Sequence, residues 1–420
     1  MMSRPMARTD VNRSAILAHL GAHGPASRAE LARALAVSPA LMTQLTKDLI
    51  ADGLISEREQ QASQGGRPAR MLGLVAEAGR AVGVKIAADH VAFVEVGIDG
   101  SVIRTASEPF DAAATTMLTE LVSLLRRFIG GGADTPLLGI GVGVPGEVDA
   151  QASGIVNSTQ LGWRNAPIGG TLRRELRMPV LVENNVNALA MAERLYGLGQ
   201  RHSSFLVVTI GTGVGAAIVI DGLVVRGTSG GAGEIGHIPV RDEGPACSCG
   251  GSGCLETFVG ETGLVRTARE RGVIGPTAGI AALRSAAAAG DSAATAVFGE
   301  AGHLLGRTVA GLVHALDPEI VIVLGEGTAD WEHWSFGFEP ALRASLMASR
   351  RGVPVAVESW QDDSWAQGAA TLVLATPFDA EGLAGEQGDL VRQRIVTQAA
   401  GESAEPLAAV ASSARGKGRG

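Results

Sequence analysis

All three cysteines of the chain fall in one eight-residue window, Cys247-Ser-Cys249-Gly-Gly-Ser-Gly-Cys254, and His237 stands ten positions before the first of them. The resulting His-x9-Cys-x-Cys-x4-Cys pattern offers three thiolates and one imidazole. That is the closed, tetrahedral, soft-donor shell that structural zinc prefers. It therefore predicts a Zn2+ site held by His237, Cys247, Cys249 and Cys254, and a local fold tied to that metal. Glu234 lies three residues before the histidine and Glu256 two after the last cysteine. A metal block flanked by carboxylates and glycines is expected to shape a pocket as well as to staple a loop.

At 420 residues the chain exceeds what one core accommodates, so two or three domains are expected. The N-terminal segment lacks the apolar stretch of a signal peptide. Nowhere do ~18 consecutive apolar residues occur, as a membrane helix would need. A cytoplasmic protein without a membrane partner follows, in a reducing compartment where clustered cysteines favour metal over disulfide. Charge is uneven: residues 1–75 carry a net of +3 within a chain of net −8, leaving −11 on the remainder. A mildly basic head on an acidic body points to a polyanion partner for the head alone.

The head reads as three helices and a hairpin. Ile16, Leu17 and Leu20 share one face of a first helix. Ser27-Arg-Ala-Glu30 is a capping box for a second. Ser38 caps a third, with Pro39 at its first position, where a missing N–H costs nothing. Met42, Leu45 and Leu49 fall on the inward face of that helix, whereas Ser38, Ala40, Leu41, Thr43, Gln44 and Lys47 remain for an outside partner. Leu54-Ile55 and Met71 to Leu74 form strands around a Gly65-Gly66 tip, with Arg67 and Arg70 on the returning side. This order is that of a winged helix-turn-helix, which inserts its third helix into the DNA major groove. Gln44 suits adenine, Thr43 and Lys47 phosphate or base, Leu41 a thymine methyl, and the two arginines phosphate or the minor groove.

Over residues 79–376 strands and helices alternate in two successive units, each opening with hairpin strands. This pattern predicts an α/β body of two lobes with a cleft at strand C-terminal ends. Five motifs follow in order: Gly141-Val-Gly-Val-Pro-Gly146, Glu183-Asn-Asn-Val-Asn187, Thr209-Ile-Gly-Thr-Gly-Val-Gly215, Glu234-Ile-Gly-His237 and the cysteine block ending at Glu256. Together they resemble the ROK family of repressors, open reading frames and kinases, in its regulator branch. The resemblance spans roughly residues 10–376. It implies a sugar-kinase-type body of the actin-like ATPase, ribonuclease H-like fold behind the winged helix. The implied units are a DNA-binding domain at 1–75, a first lobe at 79–190 and a zinc-bearing second lobe at 191–376, whose last helix returns to the first lobe. Residues 377–420, rich in Ala, Gly, Glu and Ser, read as a disordered tail.

The resemblance further implies a sugar held by Asn184, Asn185, Glu234, His237 and Glu256, donors and acceptors of the kind vicinal hydroxyls require. His237 would bind the metal through one ring nitrogen and a hydroxyl through the other. Three departures separate the chain from the family's kinases. Asn185 occupies the position of their catalytic aspartate, and an amide cannot take up a hydroxyl proton at neutral pH. Lys85-Ile-Ala-Ala-Asp89 replaces a glycine-rich phosphate loop, adding methyl groups and a negative charge. Gly325-Glu326-Gly327 replaces a Gly-Gly pair of the adenosine region. ATP is accordingly not expected as a cofactor, and no catalytic residue is assigned. The expectation is a homodimeric, sugar-responsive repressor acting on operator DNA. The alternatives are an ATP-dependent sugar kinase with an accessory head and a regulator answering to a partner protein.

Overall fold

The structure is a computed structural model, and it describes residues 8–51, 53–58, 70–75, 78–132, 135–151, 153–358, 362–376 and 384–399. The head contains α1 (Arg8–His23), β1 (Ala26–Ser27), α2 (Arg28–Ala34), α3 (Pro39–Ala51), β2 (Ile55–Arg58) and β3 (Met71–Leu74). Ser27 and Glu30 complete the capping box of α2 in both directions. Met42, Leu45 and Leu49 are buried, as the periodicity of α3 requires. The sheet has the order β1-β3-β2, so the hairpin gains a short third strand that the sequence reading lacks. The Gly65-Gly66 tip lies outside the described residues.

The first lobe comprises β4 (Arg80–Ile86), β5 (His90–Gly97), β6 (Val102–Pro109), α4 (Met117–Gly130), β7 (Leu137–Val144), β8 (Glu147–Val148), β9 (Ile155–Ser158), β10 (Trp163–Pro167), α5 (Ile168–Leu176), β11 (Val180–Asn184) and α6 (Asn185–Tyr196). Its main sheet runs β11-β7-β4-β5-β6, with β7 parallel to β4 and β11. Strand β7 is buried at every position, which explains its unbroken apolar run. A small antiparallel sheet, β10-β9-β8, caps the lobe beside the cleft.

The second lobe repeats the plan with β12 (Phe205–Ile210), β13 (Val214–Ile220), β14 (Leu223–Val224), α7 (Glu256–Val259), α8 (Glu261–Glu270), α9 (Ile280–Ala288), α10 (Ser292–Leu316), β15 (Ile320–Leu324), α11 (Trp331–Ser345) and β16 (Val355–Val357). Its sheet order is β14-β13-β12-β15-β16. Helix α12 (Asp362–Leu374) then crosses back onto β4 and β7. The approach is backbone to backbone: a Cβ at Gly83 would collide with the Ala366 carbonyl, and one at Gly141 with that of Ala369.

One feature differs from the sequence reading: residues 385–399 form helix α13 (Gly385–Ala399), so the expected tail disorder is corrected over this stretch. Val391 is fully buried there, and the Gln387 side chain accepts the Val180 N–H at 3.3 Å. The alanine-rich composition that suggested disorder is equally that of a helix with one small apolar face. Residues 377–383 and 400–420 lie outside the described residues. The head packs directly against the first lobe. Ile16, Leu17 and Leu20 of α1 share a buried cluster with first-lobe residues, Ala188 of α6 among them. Among the described residues no helix is long and apolar enough to cross a membrane.

Helix α6 also packs Val186, Leu189 and Ala190 against the second-lobe sheet, joining the lobes. Near its end Glu193 is 5% exposed. Burial first, then the neighbouring Glu358 carboxylate, push its pKa up to about 7. Below about pH 4.5 this carboxyl is neutral both folded and unfolded. As pH rises through about 7 the unfolded chain has released its proton while the folded site resists charging, so stability falls across that window. The urea midpoint is expected to decline from pH 4.5 to pH 7.5, and Glu193→Gln should flatten that slope. Val391→Ala should cost about 2 kcal/mol in the same assay. A wild-type midpoint would mean that α13 is not part of the packed body.

Candidate functional site

In the first lobe the candidate residues Asn184 and Asn185 sit at the junction of β11 and α6. Asn184 is the N-cap of α6: its Oδ1 accepts the Val186 N–H at 2.8 Å and the Asn187 N–H at 3.3 Å. Its Nδ2 donates to the Gly146 carbonyl at 2.9 Å. The side chain is buried and engaged on both of its polar atoms, so its place in the site is chiefly to hold the turn. Asn185 follows, half-buried, with Oδ1 accepting the Val186 N–H at 3.0 Å. Among the described residues its amide nitrogen meets no hydrogen-bond partner.

Beneath them lies a residue for which the sequence reading supplied no role. Glu183 is 1% exposed, and its carboxylate accepts from Arg226 Nε at 2.7 Å. It also takes the Asn184 N–H at 2.9 Å, Gln151 Nε2 at 2.9 Å and Asn187 Nδ2 at 3.3 Å. Arg226 comes from the second lobe, immediately beyond β14, and also donates to the Val148 carbonyl at 3.1 Å. The signal available in the sequence was a carboxylate ending an apolar strand, which needs a buried partner. That partner lies 43 residues away and follows no spacing rule.

In the second lobe the candidate residues are Glu234, His237 and Glu256. The Glu256 carboxylate accepts the Val214 N–H at 3.2 Å and lies against the glycine turn, where a Cβ at Gly213 would be 2.9 Å from its Oε2. His237 Nε2 stands 3.7 Å from Glu234 Oε2, while Nδ1 faces Cys247 Sγ at 3.3 Å. The ring thus lies between the Glu234 carboxylate and the cysteines. Burial pushes the Glu234 carboxyl above its usual range, with Glu147 and Glu256 adding to the effect and His237 opposing it. Glu147, on the small first-lobe sheet, is a further acid of this region that the sequence reading missed.

The four donor atoms of His237, Cys247, Cys249 and Cys254 all lie within 4.8 Å of one another. No disulfide joins the cysteines, and Cys249 and Cys254 have their sulfurs 3.8 Å apart. Thiolates bound about 2.3 Å from a shared tetrahedral centre stand about 3.8 Å apart, so the set fits a four-coordinate metal ion.

The kinase-type phosphate region is arranged differently from expectation. Asp89 turns outward, 88% exposed, and pairs with His90 Nδ1 at 2.7 Å, so it is not the acid that faces this region. That acid is Glu326. Its carboxylate sits against the Thr209–Gly215 turn, where a Cβ at Gly211 would collide with it. Lys85 Nζ reaches its Oε1 at 3.6 Å, and Trp365 Nε1 donates to the same oxygen at 2.8 Å. Trp163 is a first-lobe core residue whose Nε1 donates to the Ala112 carbonyl at 2.7 Å. Asn157 Oδ1 is used by the Asn165 N–H at 2.8 Å.

In the head, Ser38, Ala40, Leu41, Thr43, Gln44 and Lys47 are all exposed along α3. Gln44 Nε2 donates to Asp48 Oδ1 at 2.8 Å. Arg70 is paired with Glu57, which also holds Arg28 at 3.0 Å. Arg67 lies outside the described residues.

The family model described as ROK family matches residues 81–376, and that of the MarR family matches residues 9–67. The chain is 28% identical over 316 residues to a xylose repressor of Caldicellulosiruptor bescii, covering 71% of this chain and 78% of that relative. It is 29% identical over 376 residues to the DNA-binding transcriptional dual regulator NagC of Escherichia coli, covering 86% of this chain and 92% of NagC. In fold it is similar to a ROK family transcriptional regulator described as a homologue of the E. coli MLC protein, with a TM-score of 0.78 at 24% identity, over 92% of this chain and 99% of that one.

Elemental analysis of the purified chain is expected to find a bound metal ion, and Cys254→Ser should abolish it. Metal content equal in the two proteins would refute the assignment of the cluster.

Proposed function

The chain belongs to the ROK family, and on that premise we propose that it is a sugar-responsive DNA-binding transcription regulator. It acts as a repressor that holds a sugar between its lobes without phosphorylating it. The observation that carries this reading is Glu326. The chain's own carboxylate lies on the glycine turn and on Lys85, where a kinase needs room for phosphate. A second negative group there would be repelled by the first. Asn185 adds to this: it can hydrogen-bond a hydroxyl but cannot accept its proton, and loss of a general base costs ~10²–10⁴ in rate.

In this reading Asn185, Glu234, His237 and Glu256 surround the sugar, and Asn184 holds the turn that presents Asn185 to it. Carboxylates accept from its hydroxyls, and the Asn185 amide donates or accepts as the hydroxyl demands. Zinc, held by His237, Cys247, Cys249 and Cys254, supplies rigidity, since four protein ligands complete its shell. The site residues then keep fixed orientations, with the metal ordering one His237 nitrogen and Glu234 facing the other.

The assigned units are the head at 1–75, the lobes at 79–190 and 191–376, and a C-terminal segment from 377. Two heads of a cytoplasmic homodimer read the halves of a palindromic operator. Ser38, Ala40, Leu41, Thr43, Gln44 and Lys47 lie in the major groove, with Arg67 and Arg70 on the wing. Sugar and operator must favour different states of the protein for one to affect the other.

Selection from random duplexes should return a palindrome. Gln44→Ala should weaken its binding by about 1–3 kcal/mol and relax one base position, whereas Lys47→Ala should reduce the salt slope by about one. Xylose, N-acetylglucosamine and glucose form the first effector panel, two of them named in relatives of this chain. At least one member of a wider aldose and amino-sugar panel should change operator affinity. An operator complex indifferent to every sugar would sink the proposal.

A further inference from the structure

Helix α6 meets three parts of the molecule. Its N-terminus begins with Asn185 in the cleft. One face packs Val186, Leu189 and Ala190 on the second-lobe sheet. Another presents Ala188 and Met191 to the cluster that contains Ile16, Leu17 and Leu20 of the head, and α1 lies directly against α6.

The N-terminal end of α6 is set from across the cleft. Arg226 is anchored to the second lobe by its neighbour Val225, whose N–H donates to the Ile218 carbonyl of β13 at 2.8 Å. Its guanidinium reaches the buried Glu183 carboxylate at 2.7 Å and the Val148 carbonyl at 3.1 Å, both in the first lobe. Glu183 in turn fixes the Asn184 N–H and the Asn187 amide, within the cap and first turn of α6. Parting the lobes draws Arg226 away and leaves a carboxylate buried without its cation, a state that costs far more than the loss of a surface pair. The first turn of α6 must then rearrange to solvate or re-pair Glu183.

We infer that α6 transmits the state of the cleft to the DNA-binding head, with Arg226 and Glu183 as the positioning residues that set its cleft end. This deepens the reading of the chain as a sugar-responsive regulator and rests on it for biological meaning, but the mechanical link stands on packing and distances alone. The sugar contacts lie at one end of the helix and the head lies on its flank. A shift or loosening of α6 is therefore felt at both places. Coupling of this kind is reciprocal: a change at the head face must also appear at the cleft. Only a perturbation at one end read at the other establishes it.

The test uses the full chain without sugar or DNA, so its outcome is independent of whether a sugar or operator is ever found. Amide hydrogen exchange is followed by mass spectrometry in wild type, Arg226→Met, Arg226→Lys and Met191→Ala. Arg226→Met should speed exchange in residues 8–23 at least fivefold, with Arg226→Lys intermediate because it keeps the charge. Met191→Ala should speed exchange in residues 183–187 by a similar factor. Residues 292–316, in α10, should stay at the wild-type rate in all three, which separates transmission from general loosening. Should Arg226→Met not fold, Arg226→Lys and Met191→Ala still decide the matter. Far-end exchange within twofold of wild type in the folded variants, or an equal rise in α10, would overturn the inference.

Discussion

At Gly83 and Gly141 no side chain fits between helix α12 and the first-lobe sheet. Ala366, Ala369 and Ala370 face those glycines, and all three are fully buried. The close seating lets a helix that follows the second lobe in the chain pack as part of the first. Trp365, at the start of α12, is thereby held where its indole N–H reaches Glu326. Other contacts between the lobes among the described residues include Lys85 on Glu326, Arg226 on Glu183, and the apolar face of α6.

The charges across the cleft divide by position. Near the glycine turn of β12 and β13, Glu326 meets Lys85 in a partly open setting, where an ion pair is worth little to stability. Beside the Asn184–Asn185 segment, Glu183 and Arg226 meet in a buried setting, where loss of either partner is costly. In the proposed reading the first contact bears on what the cleft rejects. The second bears on how tightly the cleft's geometry is linked to the rest of the molecule.

Local regularities made much of this legible. Strands β7 (Leu137–Val144) and β15 (Ile320–Leu324) are unbroken apolar runs bounded by Pro136, Pro145 and Gly325. Helix α3 was readable because Met42, Leu45 and Leu49 follow the helical period. The metal cluster was readable because its ligands lie within 18 residues. Helix α11 was not, since Pro340 interrupts its pattern and tertiary packing on α10 overrides it. The small sheet β8-β9-β10 is too short to show a period. Glu326 was noticed only as a departure from a glycine pair, because its partners Lys85 and Trp365 come from distant segments. Arg226 and Glu147 were missed for the same reason: long-range pairing of charges leaves no trace in spacing.

The central claim is that the cleft holds a sugar and leaves it unchanged. The most direct measurement is phosphorus NMR of the chain incubated with Mg-ATP and a sugar that calorimetry has shown to bind. The account predicts that the ATP resonances persist and that no sugar-phosphate signal grows in. A growing sugar-phosphate resonance that requires both the protein and the bound sugar would contradict it.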